Sequence, residues 1–305
     1  MNLHKFFTRK LNVLILALIS CFLWGSAYPS IKIGYEIFKI LPADIPSKLL
    51  FAGYRFTLAG ILVLICFSFM NKTIKFPVKN QLPQFIFLGF FQTTLQYIFF
   101  YIGLTNTTGV KGAILNSVGI FFSIVFAHFI YKNDRLSVAK IAGCAAGFSG
   151  VIIVNFSEDL KHINFNFFGD GFIIIAAIVS SAALIYGKKL SSSVNTVLLT
   201  GYQLFIGGLI LTLMGVLSGG HLQFFGFNAY MLLVYMGFLS AVAFTLWTTL
   251  LKYNNVSSIS MYNLLVPVFG TFLSALFLGE NILQVRSLIA LLLVCAGIYI
   301  VNKFS

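Results

Sequence analysis

Arg55 is a cation inside an apolar stretch. It lies about seven residues from one end of the stretch 49–70, so it sits roughly 10 Å deep at about 1.5 Å of helical rise per residue. A charge so placed is expensive and marks a site by default. Its planar guanidinium fork can hold a carboxylate, or it can snorkel outward or bond the carbonyls of a neighbouring helix. Amides and aromatics recur at similar depths. Gln92 and Gln96 lie four apart on one helical face, with Tyr97 and Phe100 beside Gln96. Asn116 with Ser117, Gln203, and Tyr262 with Asn263 interrupt other apolar stretches, and Trp24 and Trp247 are the chain's two tryptophans. Singly, such residues glue helices together; as a set they fit a central pocket that takes a small molecule. The candidates for binding are therefore Trp24, Arg55, Gln92, Gln96, Tyr97, Asn116, Gln203, Trp247, Tyr262 and Asn263. Pro267 removes one backbone hydrogen bond and frees a carbonyl, which makes it a candidate kink or gate.

The elements that must position these residues follow from composition. Of 305 residues, 59% are hydrophobic and 9% charged, and mean hydropathy is +0.97. Too few charges remain to cover a water-facing surface, which excludes a soluble globular enzyme. Apolar stretches of about 20 residues predict ten transmembrane helices: 11–31, 49–70, 83–104, 111–131, 137–155, 169–187, 197–217, 228–251, 258–278 and 283–302. Only the connections 34–48, 71–82 and 156–168 exceed ten residues, and none is long enough for a soluble domain between spans. Basic Lys5, Arg9 and Lys10 before the run ending Ser20-Cys21 resemble a cleavable leader, yet the run continues to about Ile33 and predicts a span.

The net charge of +13 is the next signal. In a soluble chain it would suggest nucleic acid; here it sorts by side. With the N-terminus cytoplasmic, the inside segments hold thirteen basic residues against one acid, Asp134, and the outside segments hold six against six. The positive-inside rule predicts that asymmetry and places both termini in the cytoplasm. No nucleic-acid partner is expected.

The chain also repeats itself. Gly53-Tyr54-Arg55 and Gly60 in the second span match Gly201-Tyr202-Gln203 and Gly208 in the seventh at an offset of 148. Near the same offset, the fourth span with Asp134 and Lys140 matches the ninth with Glu280 and Arg286. Five helices per half is an odd number, so the second copy enters the membrane from the opposite side. The predicted fold is an all-α integral membrane protein of two inverted five-helix repeats, 1–155 and 169–305, joined by an external linker, 156–168. Such repeats favour a carrier that opens a midplane site alternately to each face.

These residues resemble the drug/metabolite transporter superfamily, in its bacterial EamA-type branch. The marks are Trp24-Gly25-Ser26 with Lys32, Arg55-Phe56, Tyr101-Ile102-Gly103-Leu104 opening onto Gly112-Ala113-Ile114-Leu115, and Pro267 with Gly279-Glu280. The resemblance implies a multi-pass cell (inner or plasma) membrane protein that exports small metabolites, amino acids or related compounds above all, with nutrient import and multidrug export as the alternatives. In the first half, Phe121 stands at the family's Pro position and Asn133-Asp134 at its Gly-Glu. A kink at Pro267 is therefore expected to have no partner in the fourth span.

Competing chemistries find little support in the sequence. Ser218-Gly219-Gly220-His221 lies in an outer loop without a nucleophile elbow or orienting acid, and a channel would leave the repeat unexplained. Cys21, Cys66, Cys144 and Cys295 are scattered through apolar runs and read as packing residues. No metal or cofactor is expected. Gly143, Gly147 and Gly150 form a face for close helix contact, either within a monomer or in a homodimer. No acid lies deep in a span, which favours facilitated diffusion or exchange over carboxylate-based proton antiport.

Overall fold

The computed structural model describes residues 3–72, 81–107, 109–154, 165–223, 226–278 and 285–304. Among them the chain is helical, without strands. After a short helix, Leu3–Thr8, the helices are α1 (Lys10–Ile37), α2 (Ile45–Asn71), α3 (Leu82–Thr105), α4 (Gly109–Ser117 and Gly119–Ile130), α5 (Val138–Val154), α6 (Phe167–Ser191), α7 (Thr196–Leu217), α8 (Gly226–Tyr253), α9 (Val256–Ser260 through Leu265–Leu278) and α10 (Val285–Phe304). Eight are long and apolar enough to cross a membrane, while the apolar segments of α5 and α10 are shorter. Large apolar side chains such as Phe69, Phe129, Leu213 and Phe272 point away from the bundle, the surface that lipid covers in a multi-pass membrane protein. Glu280 and most of the 156–168 connection lie outside the described residues, as does the side chain of Arg286.

Several helices run past their expected ends. α2 starts at Ile45 because the Asp44 side chain accepts from the backbone of Ser47 at 3.0 Å and Pro46 occupies the first turn. Arg55 thus stands about ten residues into α2, roughly 15 Å from its start rather than 10 Å.

The centre of the bundle is the antiparallel contact of α2 with α7. A Cβ placed on Gly53 would meet the Thr212 backbone nitrogen at 2.5 Å, one on Gly60 the Phe205 nitrogen at 2.4 Å, and one on Gly208 the Thr57 nitrogen at 2.3 Å. Those matched glycines let backbone approach backbone where any side chain would hold the helices apart. The glycines of α5 do likewise against α10: Gly143 faces Val301 and Gly297, and Gly150 faces Ala290. That face is filled within the monomer. α1 runs antiparallel to α8, with Gly34 against Leu232 at one end and Asn254 donating to the Phe7 carbonyl at the other. α1 lies parallel to α9, where Gly25 meets Phe269 and the Cys21 thiol donates to the Tyr262 carbonyl at 3.1 Å.

Three helices depart from α geometry near mid-length. α3 widens into a π-helical turn at Phe90–Leu95. α9 tightens into a 3-10 turn at Met261–Leu264, just before Pro267, which cannot donate to the carbonyl one turn back. α4 breaks at Val118, contrary to the expectation from Phe121. At the break the Val118 N–H donates to the Leu115 carbonyl three residues back at 3.1 Å, and the Ser181 hydroxyl of α6 donates to the adjacent Gly119 carbonyl at 2.7 Å. The α9 turn is flanked by sulfur on two sides, since Cys144 Sγ of α5 lies 3.6 Å from Met261 Sδ.

At one end of the bundle Asp134, 1% exposed, joins the two halves. One carboxylate oxygen takes Lys140 Nζ at 2.7 Å and the other accepts from the Ser257 backbone at 3.0 Å, capping the start of α9. Burial alone would raise this carboxyl. The hydrogen bonds from Lys140 and Ser257, with the Lys140 charge, outweigh burial and hold it below the usual carboxylate range.

Two outcomes follow for protein purified in detergent. Gly208→Ala lowers thermal stability, overpacking of this kind costing about 1–3 kcal/mol, while Gly187→Ala, whose Cβ has 3.5 Å to its nearest neighbour, does not. Equal melting temperatures for the two would contradict the packing argument. Asp134→Asn costs about 1.5–3 kcal/mol at neutral pH, the range for a hydrogen bond to a charged group. A depressed carboxyl stabilises above its ordinary value, 3.8, and loses that contribution as pH falls below it, so the gap between wild type and variant closes in acid. A gap independent of pH would show that the carboxylate charge is not what holds the loop.

Candidate functional site

A cavity of about 370 Å³ lies beside the α2–α7 contact and is lined by α1, α2, α3, α4, α6, α7, α8 and α9. Nine of the ten residues singled out for binding line it: Trp24, Arg55, Gln92, Gln96, Tyr97, Asn116, Gln203, Trp247 and Asn263; Pro267 lines it too. Tyr262 does not. It is buried in the hydrophobic core around Met261 and Leu264, because the 3-10 turn carries it away from the side on which Asn263 faces the cavity.

Local irregularity delivers the polar residues. The π turn of α3 carries Gln92 toward the cavity and leaves Thr93 and Thr94 facing α7, where the Thr94 hydroxyl donates to the Gly207 carbonyl at 3.0 Å. The break in α4 leaves Asn116 and Ser117 at the end of its first segment, both lining the cavity. Each non-α turn thus presents side chains that a regular helix would distribute differently.

Arg55 and Gln203 occupy equivalent places. Arg55, 3% exposed, donates from Nε to the Ser240 hydroxyl of α8 at 2.7 Å. Gln203, 1% exposed, directs Nε2 to the Thr93 hydroxyl of α3 at 3.4 Å. Each is a side chain of the central helix pair reaching a hydroxyl on the helix packed beside it. The Arg55 guanidinium also lies 4.9 Å from the centre of the Phe56 ring.

Aromatic rings form one wall. Trp24 stands 5.1 Å from Trp247 and 5.3 Å from Phe244, edge to face, and Phe56 packs 4.6 Å from Tyr97 and 6.1 Å from Phe244. Four lining residues of chemical interest escaped the sequence reading. Tyr35 lies beyond the expected end of the first span and faces inward because α1 runs on to Ile37. Tyr28 and Tyr101 are indistinguishable in sequence from tyrosines facing lipid. Lys188, at the end of α6, counts by position as a loop lysine, yet its ammonium turns inward. There it donates to the Leu251 carbonyl at 2.6 Å and to that of Asn254, over the Tyr131 ring. Since α1 and α8 are antiparallel, Lys188 and Lys32 stand at opposite ends of the cavity.

The loop motif Ser218-Gly219-Gly220-His221 is away from the cavity, its His221 backbone paired with the Ser47 hydroxyl. Among the described residues no group of His, Cys, Asp or Glu could hold a metal.

Comparison with known proteins agrees with this architecture. The EamA-like transporter family matches residues 11–156 and again 167–303. A probable amino-acid metabolite efflux pump of Salmonella typhimurium is 26% identical over 307 residues, covering 95% of this chain and 94% of its own. An uncharacterized transporter of Archaeoglobus fulgidus is 26% identical over 296 residues, covering 95% and 98%. One solved crystal structure superposes with a TM-score of 0.78 over 94% of this chain and 95% of that one, at 17% identity, which is a likeness of fold.

Proposed function

The chain belongs to the EamA-like transporter family, and on that premise we propose that it is a secondary, ATP-independent carrier that exports small metabolites, amino acids or related compounds, by alternating access around the central cavity. In this reading ten helices form two inverted repeats, 1–155 and 169–305, joined outside the cell by 156–168. Both termini are cytoplasmic and the membrane is the cell's inner or plasma membrane.

A single observation carries the reading: the pairing of Arg55 with Ser240 and of Gln203 with Thr93 across one cavity. The first joins α2 to α8 and the second joins α7 to α3, so exchanging the two halves maps one contact onto the other. α2 and its sequence match α7 run antiparallel, as inversion requires, and the twofold match to the family divides the chain at the same place. Two halves so related can rock about the α2–α7 contact and expose one site to either face. The surplus of basic residues on one set of loops supports cytoplasmic termini. Trp24, Arg55, Gln92, Gln96, Tyr97, Asn116, Gln203, Trp247 and Asn263 are the residues that meet the solute, and the breaks at Val118 and before Pro267 are the points where α4 and α9 bend. The relative named as a metabolite efflux pump supports the direction.

Purified protein in liposomes tests this. Preloaded with a mixture of unlabelled amino acids and carboxylic acids, the vesicles take up a labelled member by counterflow without ATP, several-fold above protein-free vesicles. An imposed pH gradient changes the rate less than twofold, since no carboxylate among the described residues lines the cavity to relay a proton. Failure to exchange any solute would sink the carrier reading, and strong acceleration by the gradient would sink the coupling.

A further inference from the structure

Arg55 has more hydrogen-bonding capacity than the fold uses. Of its five N–H donors, Nε alone is engaged, by Ser240; the structure shows no hydrogen bond from the two terminal nitrogens of a side chain that is buried and lines the cavity. Close by, Tyr35 also lines the cavity, its buried hydroxyl beside that of Tyr101. Guanidinium donors left without a protein partner on a cavity wall are available to an arriving acceptor, and a carboxylate fits their fork best.

The scaffold does not need the charge. At the equivalent place in the other half, a neutral amide, Gln203, makes the same kind of contact to a hydroxyl. Whatever packing requires of this position, glutamine meets it, so the cation at 55 answers to something else. The rest of the lining has the same sign. Its charged residues are Lys32, Arg55 and Lys188, with no Asp or Glu among the described lining residues. Of the four described acids, Asp44 is engaged on Ser47, Asp134 on Lys140 and Ser257, and Asp170 on Thr107 and Asn166, while Glu36, one turn from Lys32 on α1, does not line the cavity, which leaves Arg55 as the deep charge there. In a low-dielectric cavity such an imbalance attracts anions and repels an ammonium group.

We propose that, among the metabolites a carrier of this family moves, this chain selects small organic anions of net negative charge. The carboxylate takes the terminal nitrogens of Arg55 and the Tyr35 hydroxyl, and the apolar part lies against Trp24, Phe244 and Trp247. This assignment rests on the carrier reading above and narrows it, because a zwitterionic amino acid would bring an ammonium into a cavity whose described lining offers cations and no carboxylate.

The two tryptophans are the chain's only ones and both line the cavity, so intrinsic fluorescence reports its occupancy. Three solutes of nearly one shape isolate charge: 3-phenylpropionate, phenylalanine and phenethylamine, titrated against the full-length protein in detergent. The expected order is 3-phenylpropionate tightest, phenylalanine at least tenfold weaker, and phenethylamine without saturable change. Arg55→Gln, which installs the side chain the equivalent position already carries, weakens 3-phenylpropionate tenfold or more. Should that variant fail to fold, Tyr35→Phe weakens it about threefold or more while phenethylamine remains unbound. Tighter binding of phenylalanine or phenethylamine than of the anion overturns the proposal, as does an Arg55→Gln variant that binds the anion undiminished. Counterflow separates the two levels of failure. If phenylalanine or phenethylamine exchanges and 3-phenylpropionate does not, the carrier stands and the anion assignment falls; if no solute exchanges, the carrier reading falls first.

Discussion

Two helices meeting backbone to backbone is the constraint on which the rest of this structure depends. Without a hydrophobic effect to press helices together inside lipid, contact has to come from close van der Waals approach. The glycines of α2 and α7 supply it at matched places in the two halves. Once that seam is fixed, the side chains on its flank have fixed positions too. Arg55 and Gln203 project from the seam toward α8 and α3, and the cavity occupies the space that these neighbours leave between them. Had the seam been built from leucines, the helices would stand further apart and neither hydroxyl would be within reach.

Much of this was legible in the chain because lipid is an unforgiving solvent. A polar side chain in an apolar run has few places to go, so Arg55, Gln92, Gln96 and Asn116 could be picked out without coordinates, and they converge on one cavity. What resisted reading was geometry within helices. Nothing in Phe90-Phe91-Gln92-Thr93-Thr94-Leu95 announces a π turn, and no local pattern encodes the break at Val118 or the α6 hydroxyl that bonds the carbonyl beside it. Tyr262 was misplaced for the same reason: neighbours in sequence, it and Asn263 part company on a tightened turn. The start of α2, by contrast, was available from Asp44 and Pro46, a cap and a first-turn proline, but hydropathy alone passes over such signals.

The internal repeat is informative chiefly where it fails to repeat. Matched glycines preserve packing, and matched donors preserve a contact to a hydroxyl. Between Arg55 and Gln203 the chemistry nevertheless differs by a full charge. A duplicated scaffold gives each half the same mechanical task, and under the proposal made above a difference of this kind falls on the solute rather than on the frame. The proline on one side and the glycine-bounded break on the other make the complementary point, since unlike residues there produce interruptions in both α4 and α9.

The sulfur atoms around the turn of α9 carry a mechanical consequence. Hydrogen bonds between oxygen and nitrogen are steeply directional, and a helix that slides past such a contact inside lipid strands both partners. The Cys21 thiol on the Tyr262 carbonyl and the Cys144 thiol against Met261 are soft contacts, tolerant of angle and distance. If α9 bends here as proposed for alternating access, a joint bedded on polarisable atoms serves as a bearing, keeping its neighbours in touch through a range of positions at little cost in energy.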